Sequence, residues 1–452
     1  MSTAGMDSGE ALRTDSLIPG KLAVIYRTSI AVASTALILW GVLSACAGRA
    51  NRQPTEHEGL AALQVSRKFI HPPEFTPGQA HTPGVLVGDT LYISGQIGAD
   101  PRSGSVPSDV GEQTRQATEN IGHVLRAAGM SYGNLVSCHV YLDDMEHYQA
   151  MNEAYGSFHG PDYYPARTTL EMPGLPRGSQ VEISCIAFAD KSRIEAVVPP
   201  EGSIPKAMGP YRPAVWAGNT LYVSGNGGRD PKTNQVVPSV AGQTKQAMEN
   251  IGQILKAAGA DFDQTVFTNA YYLGKENKAG LPGDLVRFRT GNVPYGSYWE
   301  LGTAPSRATF QVARLPGTIS VEITFIATRD LEGKGRVVPG SVGVIPTSSG
   351  GGVIANDTLY TSGKSGDKNK NFEGQLRGSF EAARQTLLLA GMDYENIVQV
   401  HVYLKDINDM GRVDPIFKQY FPTNPPARTT VQVLETGPRE GILENIAVMA
   451  VR

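Results

Sequence analysis

Three near-identical runs, GDTLYISGQ (88–96), GNTLYVSGN (218–226) and NDTLYTSGK (356–364), each set a short apolar stretch between polar residues and small turn formers. Each is read as a β-strand forming one arm of a hairpin. Behind each run the apolar positions recur at three and four, in GEQTRQATENIGHVLRAAG, GQTKQAMENIGQILKAAG and FEAARQTLLLAG, which is the period of an amphipathic helix. In the first of these Ile121, Val124, Leu125 and Ala128 share a face, and Gly129 stands where a left-handed C-cap belongs. The strand-like stretches CHVYLDD, NAYYLGK and VHVYLKD follow. A shorter helix then holds Asn152, Tyr155 and Phe158, or Asn292, Tyr295 and Tyr298, or, less regularly, Asp414, Phe417 and Tyr420. Two more strands close each copy, within PARTTLEMPGLPRGSQVEIS (165–184), PSRATFQVARLPGTISVEIT (305–324) and PARTTVQVLETGPREGILEN (426–445).

The pattern is one β-β-α-β-α-β unit written three times, and internal repetition of this kind governs every later inference. Strands outnumber what one helix pair can cover on two faces, so each unit is expected to be an α+β domain with its helices on one side of a sheet. Boundaries fall in the Pro- and Gly-rich stretches VVPPEGSIP (197–205) and EGKGRVVPGS (332–341), giving domains at 62–192, 201–331 and 332–452. The middle unit is longer. Leu142 and Asn152 are 10 positions apart, whereas Leu273 and Asn292 are 19 apart, and the extra GKENKAGLPGDLVRF reads as a surface loop or a lid.

Composition narrows the class. With 452 residues, 40% hydrophobic and 18% charged, the chain can bury sizeable cores. A formal net charge of −3 argues against nucleic acid as the main partner, because phosphate binding wants a basic face. Three cysteines form neither a disulfide framework nor a metal knuckle, and Cys138 and Cys185, set in apolar alternating runs, are expected to be buried free thiols. The N-terminus is exceptional. Lys21 and Arg27 precede the uncharged run SIAVASTALILWGVLSACA (29–47), the order of a secretory signal. Residues 1–47 are therefore expected to be a signal peptide or an uncleaved membrane anchor, with 48–61 as a tether. The tetrapeptide Leu43-Ser44-Ala45-Cys46 resembles a bacterial lipobox, which would make Cys46 a lipidated N-terminus and place the protein in the cell envelope.

Candidate chemistry lies in the closing strands. Arg167, Arg307 and Arg428 each follow Pro and one small residue, and Glu182, Glu322 and Glu444 lie 15, 15 and 16 positions further on. Arginine presents a planar fork of donors suited to a carboxylate, and a glutamate on an adjacent strand can place or deprotonate water. A single such pair on neighbouring strands is more often a structural ion pair. Three copies at fixed spacing favour a site. Other motifs fail: SGKS (362–365) lacks the glycine of a phosphate loop, since Thr358 stands there, and His139 and His401 have no ligand cluster around them in sequence.

The units resemble the YjgF/YER057c/UK114 family, also called the RidA family of enamine/imine deaminases. The carrying stretches are GDTLYISGQIGADPRSGSV, EQTRQATENIGHVLRAAG and PARTTLEMPGLPRGSQVEISCIA in the first unit, with MGPYRPAVWAGNTLYVSG, DPKTNQVV and PSRATFQVARLPGTISVEITFIA in the second. The resemblance implies a chorismate-mutase-like fold and a trimer with inter-subunit clefts, so that one chain of three units would build a pseudo-trimeric barrel. It further implies that Arg167, Arg307 and Arg428 grip a substrate carboxylate while Glu182, Glu322 and Glu444 position or activate water. Ser94 with Gly95, Ser224 with Gly225, and Ser362 with Gly363 would line the pocket, and Tyr211 of the Gly-Pro-Tyr motif would reach in from a neighbour. His81 and Ser349 replace Tyr211 in the other two units, so the clefts are not expected to be equal. The implied reaction is hydrolysis of small anionic imines or enamines to a 2-oxo acid and ammonia, with no cofactor and no metal. A non-catalytic carboxylate-binding protein of the envelope is the alternative, and ribonuclease action ranks third.

Overall fold

The computed structural model describes residues 66–160, 163–274, 286–300, 302–337, 349–437 and 440–452. The expected signal or anchor at 1–47 with Cys46, the tether at 48–61 and the inserted residues 275–285 lie outside the described residues.

The first unit runs β1 (Arg67–Ile70), β2 (Gly84–Val87), β3 (Thr90–Ile97), α1 (Val110–Ala127), β4 (Leu135–Leu142), α2 (Tyr148–Gly156), β5 (Ala166–Glu171) and β6 (Val181–Phe188). The second repeats this order as β7 (Ile194–Val197), β8 (Ala214–Ala217), β9 (Thr220–Gly227), α3 (Val240–Ala257), β10 (Thr265–Leu273), α4 (Val286–Gly296), β11 (Ser306–Val312) and β12 (Val321–Thr328). The third comprises β13 (Gly335–Val337), β14 (Gly352–Ala355), β15 (Thr358–Thr361), α5 (Phe372–Leu389), β16 (Ile397–Leu404), α6 (Met410–Tyr420), β17 (Ala427–Gln432) and β18 (Glu444–Val451). Each unit is a six-stranded mixed sheet of one topology, β1-β2-β3-β6-β4-β5 in the first, in which β4 and β5 are parallel and the other pairs antiparallel. The opening edge strands β1, β7 and β13 were not foreseen, and β7 and β13 lie in or beside the stretches read as linkers. They are short and carry only weak alternation.

Local chemistry fixes the long helices. Asp109, Ser239 and Asn371 cap α1, α3 and α5 by accepting the amide protons of Glu112, Gly242 and Gly374 at 2.9, 3.2 and 3.0 Å. Gly129, Gly259 and Gly391, at φ of 76°, 68° and 70°, turn the chain out of the last turn, a conformation that a side chain would strain.

Each sheet uses both faces. One face of the first sheet packs α1 and α2 around Ile121, Val124, Leu125 and Met151, and the other units repeat this around Ile251 and Leu255, and around Phe380 and Leu387. The opposite faces of all three sheets share one further cluster, with Leu170 and Val136, Phe310 and Tyr271, and Val431 and Tyr403 among its members. In it Phe310 stacks on Tyr403 across two units, with ring centroids 3.7 Å apart. A cavity of about 40 Å³ opens beside this cluster, and there His139 and His401 face each other with ring centroids 6.1 Å apart.

Cys138 and Cys185 are not free thiols. Antiparallel pairing of β4 with β6 sets them directly opposite, with Cα atoms 4.1 Å apart, and the structure joins them in a disulfide. Both cysteines had been read strand by strand; the register between the strands decides the matter.

Candidate functional site

The three Pro-x-Arg arginines sit at the second position of the outermost strands β5, β11 and β17, and all are buried. Each donates its backbone N–H to a serine of another unit: Arg167 to Ser224 Oγ at 2.8 Å, Arg307 to Ser362 Oγ and Arg428 to Ser94 Oγ, both at 2.9 Å. The bonds run from unit one to two, two to three and three to one. A second set repeats the cycle, with the backbone of Glu171 on Arg314, Gln311 on Glu435 and Gln432 on Gly174. The Ser-Gly pairs thus belong to the cleft of the preceding unit's arginine.

The glycine after each serine makes room for an acid. A Cβ on Gly95 would overlap Glu182 Oε1, and one on Gly225 would overlap Glu322 Oε1. Glutamate and arginine of one unit therefore do not form a pair on adjacent strands, as the fixed 15-residue spacing had suggested. β4 lies between β5 and β6, and β10 between β11 and β12, so the partners are exchanged between units. Arg167 acts on Glu322, and Arg428 acts on Glu182.

Glu444 is misplaced by the sequence reading. The register sets Glu182 opposite Tyr141, Glu322 opposite Tyr271 and Asn445 opposite Tyr403, whereas Glu444 lies opposite Leu404, where Val181 and Val321 stand in the other units. Asn445 Oδ1, not a carboxylate, lies 2.6 Å from where a Cβ on Gly363 would be. Glu444 points to the helix side and accepts the hydroxyl proton of Ser379 on α5 at 2.6 Å. The loop before β18 is two residues longer than its counterparts; aligning on the strand and not on the acid would have revealed Asn445.

The cleft between units one and two is the most complete. Arg167 Nη2 donates to Asn152 Oδ1 at 2.7 Å, while the buried Nη1 has no hydrogen-bond partner. Tyr155 and Tyr211 place their rings 5.2 and 5.4 Å from the guanidinium carbon, a cation–π arrangement that holds the charge without neutralising it. Gly209 of the Gly-Pro-Tyr turn presses against the guanidinium, since a Cβ there would lie 2.6 Å from Nη2. Arg167, Tyr211, Ser224, Gly225 and Glu322 line one cavity of about 100 Å³, with Ile204, Met208 and Ile319 on its apolar side. Burial pushes the Glu322 carboxyl up to about 8, and Arg167 only partly offsets this. Burial likewise lifts the Tyr211 hydroxyl to about 12. Asn152, which the sequence places on the second helix without a role, is thus an arginine-positioning residue; its recurrence one helical turn before a tyrosine was the available signal.

The cleft between units three and one contains Arg428, Ser94, Gly95 and Glu182, with His81 in the place of Tyr211. Its cavity is larger, about 460 Å³. Burial pushes Glu182 up to about 8, opposed by a hydrogen bond from the Thr430 backbone and by Arg428, and burial pushes His81 down to about 3. Between units two and three, the Arg307 backbone bonds to Ser362 Oγ and to the Gly363 N–H, and the Ser349 hydroxyl lies 2.9 Å from that of Ser362. Lys364 follows there, its amine pushed down to about 8 by burial. Among the described residues no group of three or more His, Cys, Asp or Glu side chains comes together as metal ligands would.

Three segments of the chain, 73–189, 201–329 and 347–451, match the family described as Endoribonuclease L-PSP. A rat 2-iminobutanoate/2-iminopropanoate deaminase is 42% identical over 109 residues, which are 24% of this chain and 79% of that protein. A RutC family protein of Pyrococcus horikoshii is 39% identical over 111 residues, 24% of this chain and 87% of its own. Among solved structures, RidA of an Antarctic Psychrobacter is 32% identical and matches 27% of this chain and 98% of its own, with a TM-score of 0.26. With more than half of its length matched by one family three times over, the chain belongs to the Endoribonuclease L-PSP family, the YjgF/RidA group, as a tandem of three units.

Proposed function

We propose that the protein hydrolyses small imino or enamino acids to 2-oxo acids and ammonia, and that the cleft between units one and two carries the reaction. The observation behind this is a single constellation: a buried arginine with one free fork nitrogen facing, across a unit boundary, a carboxyl whose proton affinity is raised to near neutrality. Arg167 Nη1 takes the substrate carboxylate, and Asn152 fixes the plane of the guanidinium through Nη2. The imine carbon is then presented toward Glu322. Water adds to that carbon, giving up a proton to the ionised Glu322, which passes it to nitrogen to leave a carbinolamine; the same carboxylate then takes the hydroxyl proton and delivers it to nitrogen as the carbon–oxygen double bond forms and the carbon–nitrogen bond breaks, releasing ammonia. The names of the deaminase relatives, at about two-fifths identity over one unit, support the same chemistry.

The closed cycle of inter-unit bonds supports a pseudo-trimeric barrel in which one chain replaces three subunits. The Cys138–Cys185 disulfide supports the expected export, since such bonds persist in oxidising compartments. Ribonuclease action is the weaker reading, because the net charge of −3 offers little to a polyanion. The test is ammonia release from an imino acid generated in situ. Wild-type turnover that is lost in Arg167→Ala and in Glu322→Gln, each with an unchanged fold, supports the assignment. No turnover combined with a melting point raised by 2-oxobutanoate would replace the enzyme by a carboxylate-binding protein.

A further inference from the structure

A second arginine stands in each of the two larger clefts, and each cleft takes it from a different place in its unit. In the second unit it is Arg229, just after β9, where the first unit has Ala99. In the first unit it is Arg177, in the loop before β6, where the second unit has Gly317. Both side chains end on the same feature. Arg229 Nη1 donates to the Asn234 carbonyl at 2.6 Å, and Arg177 Nη2 donates to the Gly104 carbonyl at 2.5 Å. Asn234 and Gly104 are equivalent residues, both at positive φ, in turns that Asp230 and Asp100 brace through the amides of Thr233 and Ser103. The exchange is reciprocal. A Cβ on Gly317 would lie 3.0 Å from Arg229 Nη2, so glycine there leaves room for the guanidinium. Arg177, at the Gly317 position, adopts the left-handed backbone with φ of 59°, a strained choice for a residue with a side chain. One guanidinium on one carbonyl is thus kept in both clefts while its source in the chain changes.

In the cleft between units one and two, Arg229 lines the same cavity as Arg167 and Glu322, together with Ile204, Met208 and Ile319. Arg229 is half-buried, and among the described residues its guanidinium bonds to Asn234 through Nη1, which leaves Nη2 for a ligand. Lys206 adds an exposed positive charge, and Glu322, held protonated by burial through neutral pH, is the one carboxyl among the described residues that line the cavity. Two guanidinium groups with an apolar wall in the same cavity complement two carboxylates joined by a short aliphatic chain. We infer that this cleft selects imino or enamino acids that carry a second carboxylate on the side chain, and that Arg229 is the residue that selects them. The inference rests on the proposed function's reading of Arg167 as the anchor of the first carboxylate. Arg229 takes the second, and the intervening methylene groups lie against Ile204 and Ile319. A monocarboxylate of the same length leaves Arg229 Nη2 to water and forgoes one charge-assisted contact.

The experiment is calorimetric titration of the Arg307→Ala, Arg428→Ala chain, in which Arg167 is the remaining anchor of the three. The probes are 2-oxoglutarate and 2-oxopentanoate, which match in carbon count and differ in the second carboxylate. 2-Oxoglutarate should bind about tenfold or more tightly, the order expected when one charge-assisted hydrogen bond is made and not replaced. Adding Arg229→Ala should bring the two probes level, whereas Lys206→Ala should leave the preference standing. Equal or tighter binding of 2-oxopentanoate, binding of neither probe, or a preference that survives Arg229→Ala would each overturn the inference. Failure of the proposed function reads out differently: a chain that releases no ammonia but keeps the Arg229-dependent preference loses the enzyme and keeps the subsite. Crystals of the unaltered chain soaked with 2-oxoglutarate guard against a folding defect in the variants. The second carboxylate is expected on Arg229, and a carboxylate turned away from it, or an empty cleft, counts against the inference.

Discussion

Replacing Glu322 by Gln should change the pH dependence of stability in a calculable way. The carboxyl is fully enclosed, and its pKa is raised from an ordinary 4.5 to about 8, chiefly by burial. Between those values the folded chain keeps a proton that the unfolded chain releases. The wild type therefore loses stability as pH rises from about 4.5 to 8 and stops losing it above that. Integrated from pH 5 to pH 9, this single group costs the fold on the order of 4 kcal/mol, at about 1.4 kcal/mol per pKa unit. Glutamine keeps the shape and does not titrate. The compact unit Ala61–Arg452 has an unfolding entropy of roughly 0.8 kcal/mol/K at about 2.1 cal/mol/K per residue. The melting temperature of Glu322→Gln relative to wild type should accordingly rise by about 5 °C between pH 5 and pH 9. Differential scanning calorimetry in matched buffers measures this. A difference that stays constant to within a degree would refute the reasoning, because it would mean that Glu322 is solvated or ionised in the fold.

Further outcomes follow from the same geometry. Arg167→Lys keeps the charge but loses the fork, so ammonia release should fall at least tenfold, and Arg167→Ala should fall further by a contact worth roughly 1.5–3 kcal/mol, with melts showing an intact fold. Gly225→Ala should abolish the same activity, because the added carbon occupies the space of Glu322 Oε1; full activity there would remove Glu322 from the cleft. Glu444→Gln should leave the rate unchanged while lowering the melting point, since its partner is Ser379 on a helix outside the clefts. Reduction of the Cys138–Cys185 bond, which spans 47 residues, should destabilise the chain by up to about 4 kcal/mol in denaturant titrations run with and without dithiothreitol.

The sequence by itself determined the repeat, the α+β class and the residues that carry charge into the closing strands, because all three are written in local periodicity. The apolar stretch marks TLYISGQ as a strand, the 3.6-residue period fixes the helices, and glycine at positive φ ends them. Arg167 and Glu322 stood out as residue types at fixed spacing, whereas Tyr211 was reached only through the family resemblance. What the spacing could not decide is who meets whom. Strand order inserts β4 between β5 and β6, so the nearest acid in sequence is not the nearest in space, and Arg167 takes its glutamate from the next unit. Register, a property of two strands at once, joins Cys138 to Cys185 and gives the Glu182 position in the third unit to Asn445, turning Glu444 toward the helices. Asp414 looked like a variant of the Asn152 position on a helix face, and only tertiary packing set it 2.6 Å from Arg428 and gave one cleft a different charge from another. Local free energy selects the elements, but pairing across strands and units depends on contacts between residues far apart in the chain, and these exist only once the whole has folded.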